Sequence, residues 1–158
     1  MKNRYKSILK VIVILAIGFW ILSKIPFYSN INQEITANIY ENGVVTGETT
    51  VFMEGERSNY LFSKEQNYWG RFYIDCFERT GRDGMNASIW WNFGGRPDTT
   101  QRITYSQNAS FPLTNEIAPF MLINEEMNQF AVEFADGRII AASDEMYQKY
   151  MEVSWTWR

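Results

Sequence analysis

The chain has 158 residues, and its single cysteine and complete lack of histidine exclude several kinds of chemistry. One cysteine cannot form an intramolecular disulfide, and Ser-His-Asp catalysis, Cys-His catalysis and histidine-based zinc sites are all excluded. The net charge of −3 is unevenly distributed. Residues 1–24 carry five basic residues and no acid, whereas residues 25–158 carry 10 Lys and Arg against 18 Asp and Glu, a net of −8. This acidic bulk argues against nucleic acid or an anionic membrane surface as its main partner.

An apolar stretch, Val11 to Leu22, follows a basic N-terminus. If Lys10 and Lys24 extend their charged ends toward the head groups, residues 8–28 would span roughly 31 Å at about 1.5 Å per residue, the thickness of a hydrocarbon core. The sequence therefore predicts a single transmembrane anchor over residues 8–28, with membrane lipid as its partner.

The charges on either side of this stretch predict its orientation. Lys2, Arg4, Lys6 and Lys10 precede it and the first acid is Glu34, which places residues 1–7 in the cytoplasm and the remainder outside a plasma membrane. A cleaved signal peptide is the alternative, but no pair of small residues follows to specify cleavage. We expect a short tether over residues 29–32 and one extracytoplasmic domain over residues 33–158.

Beyond the anchor, apolar residues recur mostly at every second position, which is typical of half-buried strands. Asn42-Gly43 and Asp136-Gly137 predict hairpin turns, and residues 54–57 predict a further turn before a short strand over residues 58–64. A change of period after Ser143 predicts a capped helix with an apolar stripe of Met146, Tyr147, Tyr150 and Met151. The predicted fold is mainly β, an antiparallel β-sandwich or open barrel with one C-terminal helix, preceded by the N-terminal transmembrane helix.

The clearest pair of predicted strands covers residues 70–78 and 85–93. Phe72, Ile74 and Cys76 share one face of the first strand, and an antiparallel register whose paired numbers sum to 163 aligns them with the apolar face of the second. The opposite, polar face would then bring together two aromatic rings flanked by hydrogen-bonding groups. The predicted binding residues on this face are Arg71, Tyr73, Asp75, Trp90 and Asn92.

Exposed aromatic rings beside polar groups are what a sugar-binding or protein-binding face needs, because rings supply contact area at low entropy cost. The alternative is that the C-terminal helix, or the tail with Trp155 and Trp157, covers Tyr73 and Trp90. In that case this face would be part of the core.

No pattern in the sequence specifies catalysis, and we predict no catalytic residue, no metal site and no cofactor. Cys76 lies among apolar neighbours and is expected to be a buried, inert thiol. A pair of carboxylates acting as acid and base is the remaining enzymatic option. The candidates are Asp75, Glu78, Asp83, Asp98, Glu125 and Glu126.

The predicted function is that of a membrane-anchored, extracytoplasmic, non-catalytic binding module, of a bacterial kind, with an unknown protein or polysaccharide as its partner. The alternative is a small carboxylate-dependent extracellular glycoside hydrolase. A third interpretation is a homo-oligomer formed through an edge strand in the tail, residues 153–157.

Overall fold

The structure is a computed structural model that describes residues 2–93 and 100–154, with side chains from Ile8 onward. Helix α1 opens the chain and helix α2 closes the described part, with eight strands between them. A 3₁₀ helix, Glu78–Gly81, lies between the third and fourth strands. The elements are α1 (Lys2–Leu22), β1 (Pro26–Glu41), β2 (Val44–Tyr60), β3 (Ser63–Ile74), β4 (Asn86–Trp91), β5 (Gln101–Ser106), β6 (Ile117–Ile123), β7 (Phe130–Phe134), β8 (Ile139–Ala141) and α2 (Asp144–Ser154).

The eight strands form a closed antiparallel barrel in which each strand pairs with its neighbour in sequence. Closure comes from β8 pairing with β1, with Asn38 opposite Ala141 and Tyr40 opposite Ile139. The mainly β, antiparallel prediction is confirmed, and the barrel is closed rather than an open barrel or a sandwich. Odd-numbered strands run away from α1 and even-numbered strands return. The barrel thus has a proximal end, where β1 begins, and a distal end, where β1 stops.

Large apolar side chains fill the barrel interior. The predicted alternation is confirmed for the central strands, because Phe72 and Ile74 of β3 and Ile89 and Trp91 of β4 are buried. The largest fully buried side chains are those of Tyr68, Phe72, Phe130, Met53, Ile74, Ile89, Leu113, Met121, Met127, Ile140, Val51 and Val132. Close packing of this kind makes the interior a core.

The turn predicted at residues 54–57 is wrong, because β2 continues through it to Tyr60. Gly55 faces Gly70 of β3. A Cβ at Gly55 would lie 2.4 Å from the carbonyl oxygen of Trp69. The glycine therefore permits a close approach of two strands and does not mark a turn. The chain reverses later, at Leu61 and Phe62, so the predicted strand over residues 58–64 does not exist as a separate element.

Helix α1, Lys2–Leu22, lies six residues nearer the N-terminus than the predicted span over residues 8–28. It ends at Leu22, and β1 begins at Pro26, where proline cannot continue a helix. Residues 29–32, predicted as a tether, instead lie within β1 and pair with residues 54–57 of β2. Among the helical residues whose side chains the structure describes, no stretch is long and apolar enough to cross a membrane. The described residues therefore do not bear out the transmembrane helix predicted over residues 8–28.

The predicted hairpin turns and C-terminal helix are confirmed. Asn42 and Gly43 have the positive φ angles of 52° and 85° that this turn requires, and Gly137 has a φ of 87°. Ser143 caps α2 by accepting a hydrogen bond from the backbone N–H of Met146 at 3.3 Å.

The apolar stripe of α2 docks the helix on the barrel. Tyr147 stacks on Tyr40 of β1 with ring centroids 3.9 Å apart, and Tyr150 is buried beside it. Val153 and Ser154, predicted to begin an edge strand, belong to α2. The remaining tail, with Trp155 and Trp157, lies outside the described residues.

Candidate functional site

The predicted binding residues do not form one site, because the register of β3 and β4 differs from the predicted one. Trp90 lies opposite Asn67, and Gly70 lies opposite Ala87. Tyr73 is six residues beyond Asn67 on the same strand, which corresponds to about 20 Å. The register has moved by an even number of positions, so the predicted inward and outward faces are kept while the predicted neighbours are separated.

The register differs because β3 ends at Ile74, four residues earlier than predicted. The 3₁₀ helix that follows is tied to this end by the buried Thr80, whose hydroxyl accepts a hydrogen bond from the N–H of Ile74 at 2.9 Å and donates one to the carbonyl of Phe77 at 2.8 Å. The connection between β3 and β4 therefore includes residues 75–78, which the alternation of apolar and polar residues had placed in the predicted strand over residues 70–78. A threonine after the last apolar residue of the strand was the signal that sequence reasoning missed.

Trp90 and Asn92 lie toward the proximal end of the barrel. Trp90 is half-buried and makes an edge-to-face contact with Phe93, with centroids 5.6 Å apart. The side-chain amide of Asn92 donates to the carbonyl oxygen of Lys64 at 2.6 Å. These two contacts involve Phe93 and Lys64 and not α2.

Tyr73 is the centre of a separate cluster on the outer face of β2 and β3. Its ring stacks on Phe52, with centroids 5.6 Å apart and planes 14° from parallel. The guanidinium of Arg71 lies 5.2 Å from the centre of the same ring. The Tyr73 hydroxyl donates to Asp75 at 2.8 Å. This hydrogen bond is the main reason that the pKa of Tyr73 is raised above its ordinary value.

Gly81 of the 3₁₀ helix holds the Tyr73 ring from another side, since a Cβ at that position would lie 2.5 Å from a ring carbon. The described contacts of the Tyr73 ring come from Phe52, Arg71 and Gly81 and not from α2, and the tail with Trp155 and Trp157, the other part of the alternative, lies outside the described residues. The ring remains partly open to solvent. Its neighbours therefore fix its orientation without burying it.

An open hollow of about 320 Å³ lies beside this cluster on the outer face of β1, β2 and β3. Arg71 and Tyr73 are the two predicted binding residues that line it. Sequence reasoning missed its other lining residues, although Phe52 gave a signal as an aromatic residue on the polar face of β2, between Thr50 and Glu54. The residues around the hollow are Asn32, Gln33, Glu34, Phe52, Met53, Glu54, Arg71 and Tyr73.

The hollow is lined by the stacked rings of Phe52 and Tyr73 and by charged side chains of both signs. Glu54 lies directly opposite Arg71 across β2 and β3. Glu34 of β1 lies opposite Phe52, which places it diagonal to Glu54. The side-chain amides of Asn32 and Gln33 add further donors and acceptors, and Gln33 donates to the carbonyl oxygen of Glu126 at 2.9 Å. Such a surface can stack against a ring or an apolar group and hydrogen-bond its polar substituents.

The predicted carboxylate candidates are divided between the two ends of the barrel. Asp75, Glu78 and Asp83 follow the distal end of β3, whereas Glu125 and Glu126 follow the proximal end of β6. Asp98 lies outside the described residues. Across residues 8–93 and 100–154, no group of three or more Cys, Asp and Glu side chains is placed to hold a metal ion.

Cys76 is half-buried rather than fully buried. It packs against the core, and its backbone N–H donates to the hydroxyl of Thr49 at 3.0 Å. Its position just beyond the end of β3, outside the strand predicted for it, explains this partial exposure.

Comparison with family models, curated proteins and solved structures yields no match to this chain. What the geometry defines is a closed eight-stranded antiparallel barrel that carries an aromatic and polar hollow on its outer face.

Proposed function

We propose that this protein is a membrane-attached, non-catalytic binding module whose Phe52–Tyr73 hollow contacts an extracytoplasmic protein or polysaccharide. The observation that carries the proposal is the stacked, half-exposed pair of rings beside Arg71 and Glu54. Aromatic rings that stay accessible although a core lies beneath them provide contact area for a partner.

The hollow is also pre-organised, which favours binding. Tyr73 is held by its stack on Phe52, by its hydrogen bond to Asp75 and by its contact with Gly81. A partner therefore need not immobilise this side chain. The entropy cost of binding is lower than it would be for a side chain that is free to move. Arg71 and Glu54 then supply directional hydrogen bonds at the edge of the rings.

Helix α1 supports the membrane part of the proposal. Every large apolar side chain from Ile8 to Leu22 is at least 47% exposed. A helix that is apolar around its whole circumference requires an apolar environment on every side, which lipid provides. The basic residues Lys2, Arg4, Lys6 and Lys10 complement anionic lipid head groups.

The predicted localisation, with residues 1–7 in the cytoplasm and the barrel outside a plasma membrane, stays a prediction. Protease added to intact cells that express the full chain checks it. Digestion of the barrel without cell lysis would support the orientation, and digestion only after lysis would contradict it.

The binding proposal is tested with Tyr73→Ala and a matched control, Trp69→Ala. Trp69 lies on the same outward face of β3 and is 50% exposed, but it does not line the hollow. Both variants and the unmodified full chain are titrated with a panel of defined oligosaccharides and cross-linked to native membranes. We expect Tyr73→Ala to lose the bound glycan or the cross-linked protein by at least tenfold while Trp69→Ala keeps it. Equal binding by both variants would refute the assignment of the hollow.

Glu34 and Glu54 keep the hydrolase alternative open, since they are diagonal neighbours on adjacent strands of the hollow. Such neighbours are about 7–8 Å apart at the backbone and their side chains share the outward face, so two carboxyl groups border the same hollow, as a glycosidase site requires. Release of reducing sugar that disappears in Glu54→Gln, with binding retained, would favour the enzyme over the binding module.

A further inference from the structure

The turn between β2 and β3 carries two large apolar side chains that are more than half exposed to solvent. Leu61 is 53% exposed and Phe62 is 57% exposed. Turns in soluble domains are ordinarily built from polar residues and glycine. An apolar pair at this position therefore needs a specific explanation.

The start of β1 continues the same apolar surface. Pro26 pairs with Tyr60, next to the turn. Ile25, Phe27 and Tyr28 are 49%, 53% and 65% exposed. We call this surface the proximal tip, and it consists of Ile25, Phe27, Tyr28, Leu61 and Phe62.

Helix α1 meets the proximal tip directly. The ring of Phe19 lies against that of Phe62, with centroids 4.5 Å apart. Three residues, Ser23 to Ile25, connect α1 to β1. The backbone N–H groups of Ser23 and Lys24 donate to the carbonyls of Phe19 and Ile21 at 3.0 Å each, so the helical path is continued up to the strand.

We propose that the proximal tip is a second membrane-contacting surface, which seats the barrel on the bilayer with its proximal end at the lipid interface. The inference rests on the proposed membrane attachment of α1, and it adds how the barrel is oriented. Because Phe62 touches Phe19, lipid that surrounds Phe19 also reaches Phe62.

The composition of the proximal tip is typical of a membrane interface, which favours lipid as its partner. Aromatic residues with a polar edge, such as Tyr28, are enriched where hydrocarbon meets head groups. Lys24 and Lys64 are exposed beside the tip, Glu65 follows Lys64 in sequence, and Glu125 and Glu126 lie at the same end of the barrel. Long cationic side chains at this level extend toward anionic head groups.

The test is spin-label accessibility in the full chain reconstituted in phosphatidylcholine and phosphatidylglycerol vesicles. Cys76→Ser provides the background, and single labels are placed by Phe62→Cys, Val13→Cys and Val44→Cys. Val44 is the matched control, because it is also apolar and 64% exposed, but it lies next to the Asn42-Gly43 turn at the distal end. Val13 reports on α1 itself.

We expect the labels at positions 13 and 62 to collide more often with oxygen, which concentrates in lipid, than with a water-soluble nickel complex, and the label at position 44 to show the reverse. Lipid accessibility at position 13 with water accessibility at position 62 would overturn the inference while leaving membrane attachment intact. Water accessibility at position 13 would overturn both. Circular dichroism of each labelled variant checks that the barrel is folded.

Leu61→Asp together with Phe62→Asp gives an independent measurement. Both side chains are exposed, so the substitutions should leave the barrel folded. We expect the doubly substituted chain to remain on vesicles through α1, but a label introduced by Phe27→Cys to become accessible to the nickel complex. An unchanged Phe27 label would argue against seating by the tip. The matched substitutions Val44→Asp and Val45→Asp should have no effect on that label.

Discussion

Gly55 and Gly70 lie opposite each other on β2 and β3, and the backbone of the facing strand leaves no space for a Cβ at either position. The side chain of Tyr68 fills the space beside them, with its hydroxyl about 3 Å from where each Cβ would be. That hydroxyl donates to the carbonyl oxygen of Arg71 at 2.7 Å. An aromatic ring over a glycine pair, with its polar end satisfied, lets two strands approach closely at low cost.

Gly55→Ala and Gly70→Ala should each destabilise the protein by about 2–4 kcal/mol, because the new methyl group would meet backbone atoms that cannot move away. Urea unfolding of the full chain in detergent measures the change. Gly47→Ala is the matched control in the same strand, since its Cβ would contact only Ile39 at an ordinary 3.8 Å. Similar stabilities for Gly55→Ala and Gly47→Ala would contradict the close approach.

The protein should lose stability in alkaline solution because of its buried tyrosines. Burial raises the pKa of Tyr105 well above the ordinary value of 10.0, and burial also raises that of Tyr68. The folded state therefore keeps protons that the unfolded state releases. Stability is fully present below about pH 10 and falls above it by roughly 1.4 kcal/mol per pH unit for each such group.

Unfolding midpoints between pH 8 and pH 11.5 measure this dependence. Tyr105→Phe should reduce the alkaline slope, and at neutral pH it should cost about 1 kcal/mol for the lost hydrogen bond to the Phe72 carbonyl. Tyr28→Phe, at an exposed position, should leave the slope unchanged. An unaltered slope in Tyr105→Phe would show that other groups cause the alkaline loss.

The separation of the predicted binding residues can be measured by double-mutant cycles for stability. Alanine substitutions at Phe52 and Tyr73, whose rings are stacked, should couple by about 0.5–1.5 kcal/mol. Substitutions at Tyr73 and Trp90 should add within about 0.5 kcal/mol, because the two side chains lie at different ends of the barrel. Strong coupling between Tyr73 and Trp90 would instead support the register predicted from sequence.

The cap of α2 should be worth about 1 kcal/mol. Ser143→Ala removes the acceptor for the Met146 N–H and the hydroxyl that donates to Gln129 at 2.9 Å. Ser143→Asn keeps an acceptor at the cap position and should recover most of the loss. Thermal unfolding of the two variants checks this, and equal melting temperatures would show that the cap contributes nothing.

Local patterns predicted the faces of the strands, the Asn42-Gly43 and Asp136-Gly137 turns and the capped helix α2, because each depends on residues that are close in sequence. Alternation has a period of two, so it identified the inward side of β3 and β4 correctly. The same period allows any even shift, and nothing within either strand specified which shift occurs.

The missed features depend on contacts between distant residues. Gly55 was predicted to lie in a turn because Gly70, the residue it faces, is fifteen positions away in sequence and its pairing could not be recognised. The end of β3 depends on Thr80, six residues further on. The hollow combines side chains from β1, β2 and β3, so Phe52 could be recognised as part of it only once Tyr73 was known to stack against it. Barrel closure likewise depends on β8 reaching β1.

The three-residue connection between α1 and β1 limits how far the protein can reach. β1 has 16 residues, so at about 3.3 Å per residue its distal end lies no more than about 50 Å from its own start at Pro26. With only three residues between helix and barrel, the proposed attachment of α1 to lipid would require a partner that engages the hollow to come close to the membrane. Under that proposal, the protein would bind soluble molecules only after they had reached the membrane surface.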